Sequence, residues 1–461
     1  MNGVKRSISS HLRPKRIQTQ KVSKLEGLAA FSPDALSSIG YANQEIYLGL
    51  VVAGSVGLAL AFPIALTITL LLTLLAVSYY QITQTFPRGG GSYTVARANF
   101  GTVPGLVAGA ALIVDYLLNV AVSLTAGVDA ITSAFPQLLS EKILLSLLLL
   151  VAITILNLRG MRETGIVMAI PVYLFIFAYL GMLAYGGVRF AVLGPMSLAS
   201  ATPPAIEPLT TLLLLRTFST GCTAVTGIEA ISNGVSSFRS PAAKNAGETM
   251  IIMPILMGTL FLGSVGLTQV LGVVAGPQET ILSALARHLL GSGPAYLIIQ
   301  GVTLAMLTVG ANTSFVGLPR LLSVIAEDNF LPKSMNKVNS RGVFPYGIML
   351  LASAAGFLIV AFSGSSHALI PLFAVGVFLA YTLSQTGMVL HWRRNRGRKW
   401  RLKAVLNGVG ALATGITFVI VGFTKFSGGA WISLLLIPML VLLFLHFHSR
   451  HTETLAPTNP Q

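Results

Sequence analysis

The sequence predicts an all-α protein that crosses the membrane about twelve times. Hydrophobic residues make up 54% of the 461 residues and charged residues only 10%, so a water-soluble fold would have too little polar surface to cover its core. Apolar runs of roughly 20 residues, the length at which a helix crosses the hydrocarbon layer, recur along the chain. Runs such as IALTITLLLTLLAVSYY lack the alternation of polar and apolar residues that a transmembrane barrel requires.

The apolar segments also predict how the chain is oriented. We number them spans 1 to 12, at about 28–53, 57–85, 103–135, 143–158, 164–187, 208–236, 248–274, 294–326, 345–363, 368–391, 404–424 and 430–447. With the N-terminus inside, most of the 30 Lys and Arg residues fall in cytoplasmic connections. Those left outside are Lys142, Arg189, Arg216, Arg287 and Lys425. This bias favours a multi-pass protein of the cytoplasmic membrane with both termini in the cytoplasm.

Little of the chain lies outside the spans. We expect a basic cytoplasmic segment at 1–27, a membrane domain at 28–447 and a short cytoplasmic tail at 448–461. No segment is left to fold as a soluble catalytic domain, so neither an enzyme nor a cofactor is expected. The single cysteine, Cys222, excludes an internal disulfide and a multi-thiolate metal site. The net charge of +16 is explained by the cytoplasmic loops, and nucleic-acid binding is not expected.

Carboxylates inside the spans are the first candidates for function, because an unpaired charge in the bilayer is costly. Asp34, Asp115 and Glu229 are placed well within spans 1, 3 and 6. Glu45 and Asp129 are equally compatible with a structural pair or an interfacial position.

Span 3 carries a polar stripe. Its start after Pro104 places Asp115 roughly 17 Å along the helix, near the bilayer centre. Asn119 and Ser123 follow at intervals of four residues and continue the same helix face. Such a stripe needs a polar partner, so we expect it to line an interior path.

Spans 1 and 6 contain sequences that predict interrupted helices. The first is SPDALSSIGY, with the break expected at Ser37, Ser38 and Gly40, and the second is TGCTAVTGIEAISNG, with the break around Gly227. Non-helical backbone at membrane depth is tolerated where it lines a cavity or is buried in protein. Two such breaks five spans apart are typical of a five-plus-five inverted repeat, here about 28–187 and 208–391, followed by two further helices at about 404–447.

These segments resemble the amino acid–polyamine–organocation (APC) superfamily, which has the LeuT-type fold, and within it the KimA-type potassium–proton symporters related to the KUP permeases. The resemblance covers essentially all twelve spans. The segments that show the resemblance are FSPDALSSIGY, FPRGGGSYTVARANFG, GLVAGAALIVDYLLNVAVSLTAG, NLRGMRETG, TGCTAVTGIEAISNG and FAVGVFLAYTLSQTGM.

The resemblance implies a cation site. The matching positions are Asp34, Tyr41, Asp115, Tyr116, Thr226, Glu229 and Tyr381, which in the family bind K⁺ or couple its movement to a proton. Asn119 and Ser123 are further candidate oxygen donors. We expect K⁺ to be bound by Asp34, Asp115 and Thr226, with carbonyls of the span 1 break. Glu229, in the break of span 6, is expected to carry the coupled proton.

The expected function is uptake of K⁺ coupled to H⁺ by alternating access. Two alternatives stay open: a proton-coupled permease for amino acids or polyamines, with cationic substrates favoured, and a transporter-like sensor without net flux. Family members carry a cytosolic C-terminal domain that helps hold a dimer, whereas this chain ends just after span 12, so a homodimer is only a possible assembly. The basic and aromatic run HWRRNRGRKWRLK predicts contact with anionic lipid headgroups.

Overall fold

A computed structural model describes residues 21–87, 89, 91–160, 165–194, 203–276 and 278–455. Most of the predicted N-terminal segment, and the end of the predicted tail, lie outside these ranges. Within them the protein is helical, and nine helices are long and apolar enough to cross a membrane. Span 9 is a shorter apolar helix, and spans 1 and 6 are interrupted, which accounts for the twelve predicted spans.

The helices have the following bounds. Span 1 comprises Lys24–Phe31 and Pro33–Val51; span 2, Gly54–Leu58 and Ala61–Thr85; span 3, Thr102–Ala134; span 4, Lys142–Leu158; span 5, Gly165–Leu193; span 6, Thr211–Gly221 and Glu229–Asn233; span 7, Ala242–Val270; span 8, Pro294–Glu327; span 9, Pro345–Ala361; span 10, Ser366–Arg394; span 11, Trp400–Thr424; and span 12, Trp431–Leu455. Helices Ser92–Phe100 and Ile281–Leu290 lie in the connections that follow spans 2 and 7. We call the two parts of spans 1 and 6, in chain order, spans 1a, 1b, 6a and 6b.

Span 1 is interrupted at Ser32, earlier than predicted. Span 1a ends at Phe31, and span 1b begins with Pro33 at its first position. Proline has no N–H to donate to the preceding turn, and its ring crowds the carbonyl there, so a new helix starts at this residue.

The residues predicted to form the break, Ser37, Ser38 and Gly40, are instead helical and lie inside span 1b. The prediction was wrong because the two serine hydroxyls bond locally. Ser37 Oγ donates to Asp34 O at 2.7 Å, and Ser38 Oγ donates to Ala35 O at 2.6 Å. Helical backbone accommodates such bonds to the preceding turn, so a serine pair does not by itself interrupt a helix.

The predicted break in span 6 is confirmed. After Gly221 the chain forms one 3₁₀ turn, becomes extended at Thr226, and passes through Gly227 with φ +85° before span 6b begins. A Cβ atom on Gly227 would lie 2.5 Å from Ala35 N, on the backbone of span 1b. Glycine is therefore required at this position for two reasons: the positive φ and the close approach of the two spans.

The spans pack in two groups. Span 2 packs extensively on span 7, and span 1b packs on span 6a; we call spans 1, 2, 6 and 7 the first helix group. Span 3 packs on spans 8 and 10, and span 10 packs on span 11; these four form the second helix group. The two groups meet where span 1b lies against span 8 and where span 11 lies against span 6a.

Loop contacts distinguish the two ends of the helix bundle. At one end, span 1a contacts the start of span 7 through Lys24 and Glu248, and the connection after span 8 contacts span 12, where Phe330 stacks on His448. We call this end the termini face. The other end, the opposite face, holds the connections after spans 3, 7 and 9.

Substitution of Gly227 tests the packing of the two breaks. Gly227→Ala should destabilise the protein by about 3 kcal/mol, because it adds an unfavourable backbone conformation to a steric overlap with span 1b. The measurement is the melting temperature of the purified chain in detergent. Gly422→Ala, in span 11 with no atom within 4 Å of the new Cβ, is the matched control and should leave the melting temperature unchanged or raised. Equal melting temperatures for the two variants would contradict the close approach.

Candidate functional site

Three carboxylates from three spans meet in the interior of the bundle. Asp34 is in the first turn of span 1b, Asp115 is in the middle of span 3, and Glu229 begins span 6b. All three are at most 2% exposed. Asp34 and Asp115 interact electrostatically with each other and with Glu229. The structure thus brings together the three intramembrane carboxylates that the sequence singled out.

These carboxylates have no basic partner among the residues that the structure describes. The ion pairs of the described chain involve other acidic residues, and one oxygen each of Asp34, Asp115 and Glu229 is buried without a hydrogen-bond donor. Buried carboxylates are stable only when they are protonated or when a cation compensates them. The described residues contain no compact set of three His, Cys, Asp or Glu side chains of the kind that holds a transition metal. The arrangement therefore suits a cation that is also coordinated by hydroxyl and carbonyl oxygens, or a proton.

Glu229 makes a direct contact with span 10. The Tyr381 hydroxyl donates to Glu229 Oε2 and lies 3.1 Å from the carbonyl of Val225. Tyr381 is fully buried. Through this tyrosine, the first helix group and the second helix group are joined at the break in span 6, so that a change in the charge of Glu229 acts on both.

The break in span 6 supplies further oxygens. Thr226 is fully buried, and its hydroxyl donates to Thr223 O at 2.9 Å, which leaves the lone pairs of that hydroxyl available. Ser38 Oγ lies 3.2 Å from Ala224 O and so links span 1b to the break. Gly40 packs against the Leu307 side chain and is not part of the site.

The polar stripe of span 3 is already connected to span 8. Asn119 Nδ2 donates to Ser314 Oγ at 2.9 Å, and Ser123 Oγ donates to Asn119 Oδ1 at 3.1 Å. Asn119 also interacts with the carboxylate of Asp34. The stripe thus lies in the interior as predicted, and these contacts orient the site. Ser123 is connected to the carboxylates through Asn119.

Tyr116 and Tyr41 lie on either side of the carboxylates. Tyr116 accepts a hydrogen bond from Asn233 Nδ2 at 3.0 Å, and a Cβ on Gly317 would be 2.7 Å from its ring. Tyr41 is buried in span 1b, interacts electrostatically with Asp34, Asp115 and Glu229, and has a hydroxyl without a hydrogen-bond partner.

Sequence reasoning missed Asn233 and Ser314, which hold Tyr116 and Asn119. Asn233 stands in the glycine-rich TGIEAISNG stretch, where its position next to Gly234 was the available signal. Ser314 is one of several polar residues of span 8 and directly follows Asn312 and Thr313, so nothing in its spacing distinguishes it.

A cavity of about 400 Å³, which we call the vestibule, leads to the site from the termini face. Its outer part is lined by Gly89, Ser237 and Phe344, and its inner end reaches Asp34 and Tyr116. Between Asp34 and the opposite face, span 1b is closely packed, and Tyr41, Ala42 and Ile46 are at most 2% exposed. The site is therefore accessible from the termini face.

Comparison with known proteins identifies the family. The family model for amino acid permeases matches residues 31–446. The chain is 40% identical to the potassium transporter KimA of Bacillus subtilis over 96% of this chain and 74% of that protein. It is 26% identical to the branched-chain amino acid permease BcaP of Lactococcus lactis over 70% of this chain and 72% of that protein.

A crystal structure of the Eremococcus coleocola manganese transporter, in complex with an aromatic bis-isothiourea substituted compound, aligns with 91% of this chain and 93% of its own, at 14% identity and a TM-score of 0.44. The family match spans nearly all the helices described above, and the relative that is 40% identical is itself a transporter. The chain is therefore a multi-pass membrane protein that belongs to the amino acid permease family.

Proposed function

We propose that the protein takes up K⁺ together with H⁺ across the cytoplasmic membrane. The observation that carries the proposal is the cluster of Asp34, Asp115 and Glu229, which are buried and have no ion-pair partner among the described residues. A site with this charge attracts a cation and disfavours an anion. The membrane potential favours inward movement of a cation by about 2.3 kcal/mol per charge per 100 mV.

Potassium is favoured over other cations by the ligands and by the relatives. K⁺ is weakly hydrated and is bound by several oxygens, many of them uncharged. Asp34, Asp115, Thr226 and the carbonyls around Gly227 supply such oxygens within one buried region. The relative that is 40% identical over most of this chain carries the name potassium transporter.

Glu229 is the residue we assign to the coupled proton. It stands at the start of span 6b, directly after the break, and one of its oxygens has no hydrogen-bond donor. Its other oxygen accepts from Tyr381, so loss or gain of the proton changes a contact between the two helix groups. This contact links protonation to the movement that alternating access requires.

The orientation follows from the distribution of basic residues. With both termini in the cytoplasm, most Lys and Arg residues lie in cytoplasmic connections. The termini face is then cytoplasmic, the vestibule opens to the cytoplasm, and the opposite face is external. The homodimer and the inverted repeat stay predictions.

Transport of a cationic amino acid or polyamine is the second candidate. The family model and the permease from Lactococcus lactis favour an organic substrate. An amino acid brings its own carboxylate, which the cluster of acidic residues repels, so the substrate would need an excess of positive charge. A sensor without flux has the same binding site, and uptake experiments distinguish it.

We also propose that the connection between spans 10 and 11 binds anionic lipid headgroups. Arg396 and Arg401 lie 5.4 and 5.6 Å from the ring of Trp400, and Lys403 lies 4.2 Å from the ring of Trp392. The run HWRRNRGRKWRLK contains no acidic residue. Indole rings held by cations between two spans are suited to the headgroup layer, where phosphates supply the missing negative charge.

Uptake by cells that lack their own potassium systems tests the main proposal. Expression of the chain should support growth at low K⁺ and uptake of rubidium, and Asp115→Asn should reduce that uptake by about 30-fold, the loss of roughly 2 kcal/mol of charged coordination. Glu207→Gln, an exposed acidic residue, is the control and should transport normally. Uptake of arginine or spermidine without rubidium uptake would favour the permease, and ligand binding without any flux would favour the sensor.

Proton coupling has its own test in liposomes that contain the purified chain. When the medium is more acidic than the lumen, the pH gradient should drive rubidium uptake by the unmodified protein. The protons that enter with rubidium should acidify the lumen. In Glu229→Gln, which keeps an oxygen for Tyr381 but loses the titratable group, the gradient should no longer drive accumulation. Glu141→Gln, on an exposed turn, serves as the control. Unchanged gradient-driven accumulation in Glu229→Gln would refute the assignment of the proton to Glu229.

The headgroup proposal predicts a lipid-dependent stability. Phosphatidylglycerol added to neutral micelles should raise the melting temperature, and the triple variant Arg396→Gln, Arg398→Gln and Arg401→Gln should lose most of that increase, at about 1 kcal/mol per basic residue. A variant with Lys333→Gln and Lys337→Gln, in the connection after span 8, is the control. An equal response to phosphatidylglycerol in all three proteins would contradict a specific headgroup site.

A further inference from the structure

A second buried carboxylate, with two basic side chains around it, lies at the opposite face, away from the cation site. Glu45 is 2% exposed and is separated from Asp34 by about 16 Å along span 1b. One of its oxygens lies 2.7 Å from His367 Nδ1, in the first turn of span 10, and the other is buried without a partner. Lys425, buried in the turn between spans 11 and 12, interacts electrostatically with Glu45. The sequence left the role of Glu45 open and suggested no partner for it.

This cluster joins the two helix groups. Glu45 belongs to span 1b of the first group, whereas His367 and Lys425 belong to the ends of spans 10 and 11 in the second group. At the termini face, by contrast, Lys24 pairs with Glu248 inside the first group. The Glu45–His367 contact therefore bridges an interface that has to open if the site is to become accessible from this side.

A neighbouring contact is different in kind. Ser366, next to His367, donates to Asp129 Oδ2 at 2.6 Å, and Asp129 Oδ1 lies 2.5 Å from Lys142 Nζ. These contacts connect span 10 to span 3, which belongs to the same helix group, and to the start of span 4. They fix the start of span 10 without crossing to the first group. Asp129 thus provides a matched control for Glu45.

We propose that Glu45, His367 and Lys425 form the outer gate of the transporter: their contact holds the opposite face closed while the vestibule is open, and it has to break before a cation can enter from that face. The proposal rests on the proposed transport function, in that a gate needs a pathway. It adds a group of residues that bind no substrate and set how often the site faces outward.

External pH acts on this gate through His367. Its side chain is 58% exposed, so water reaches it from the opposite face. Protonation places a positive charge beside Glu45 and favours the closed gate; the link weakens as the external pH rises and the imidazole loses its proton.

The other charged groups around His367 are Lys425 and Arg216, the latter on span 6a. Burial lowers the pKa of Lys425 to about 8 in spite of the attraction of Glu45. Lys425 therefore keeps its charge at neutral pH and loses it only in mildly alkaline medium. Arg216 repels both cations, which leaves Glu45 as the group that holds them together. The gate should therefore loosen as the external pH increases.

Rubidium uptake as a function of external concentration and pH tests the gate. Without the link, the outward-facing state is populated more often, and the half-saturating external concentration falls in proportion. We expect roughly a fivefold decrease for Glu45→Gln and for His367→Gln, with a weaker dependence of that concentration on external pH than in the unmodified protein. The exchange Glu45→His with His367→Glu should restore the wild-type concentration, because it keeps the pair. Asp129→Asn should behave as the unmodified protein.

A second measurement needs no transport. In intact cells, a membrane-impermeant thiol reagent is applied to Tyr41→Cys in a Cys222→Ser background, which removes the chain's own cysteine. Labelling of position 41 from outside should be roughly fivefold faster when His367→Gln is added, and its rate in the presence of His367 should rise as the external pH increases. His367 is at the surface, so its substitution preserves the fold.

The two measurements separate the two proposals. If the unmodified chain carries no rubidium, faster labelling on loss of His367 would retain the gate and reject potassium transport. Labelling rates and half-saturating concentrations that are the same with and without the Glu45–His367 pair would overturn the gate, as would an equal effect of Asp129→Asn.

Discussion

The structure depends on one electrostatic constraint, the burial of three carboxylates that have no ion-pair partner in the part of the chain that the structure describes. Asp34, Asp115 and Glu229 come from three different spans, so their mutual repulsion acts directly on how those spans pack. The constraint is satisfied by protonation or by a bound cation. The folded state is thus coupled to a ligand, and the same repulsion that makes the site costly provides the energy difference on which transport relies.

The two breaks make this arrangement possible. Gly227 allows the backbone of span 6 to touch span 1b, and Pro33 starts span 1b so that Asp34 stands in its first turn. A continuous span 6 would satisfy its carbonyls internally and leave fewer for a cation. Tyr381 completes the arrangement from the second helix group, because its hydroxyl contacts both Glu229 and the carbonyl of Val225.

Much of this was predictable from the sequence. Apolar length predicted the spans, and the cost of a buried charge selected Asp34, Asp115 and Glu229. The position of the break in span 1 was not predicted, because two serines and a glycine look like a helix interruption unless their local hydrogen bonds to Asp34 and Ala35 are known. Glu45 could not be assigned either. Its partner His367 is more than 300 residues away in the sequence, and only tertiary packing brings the two together.

Span 10 contacts both the cation site and the buried Glu45. Its first turn contacts Glu45 through His367, and Tyr381, roughly 21 Å further along the same helix, contacts Glu229. Both contacts are made by the same helix, which contains Pro371 between them, so a change in the protonation of Glu229 and a change in the contact of His367 with span 1b act on one element. Because span 10 holds the first helix group through one carboxylate at its start and another near its middle, both contacts have to adjust when the groups move. The helix is thus placed to prevent the cation site from being open to both sides at once, which is the condition that separates a coupled transporter from a channel.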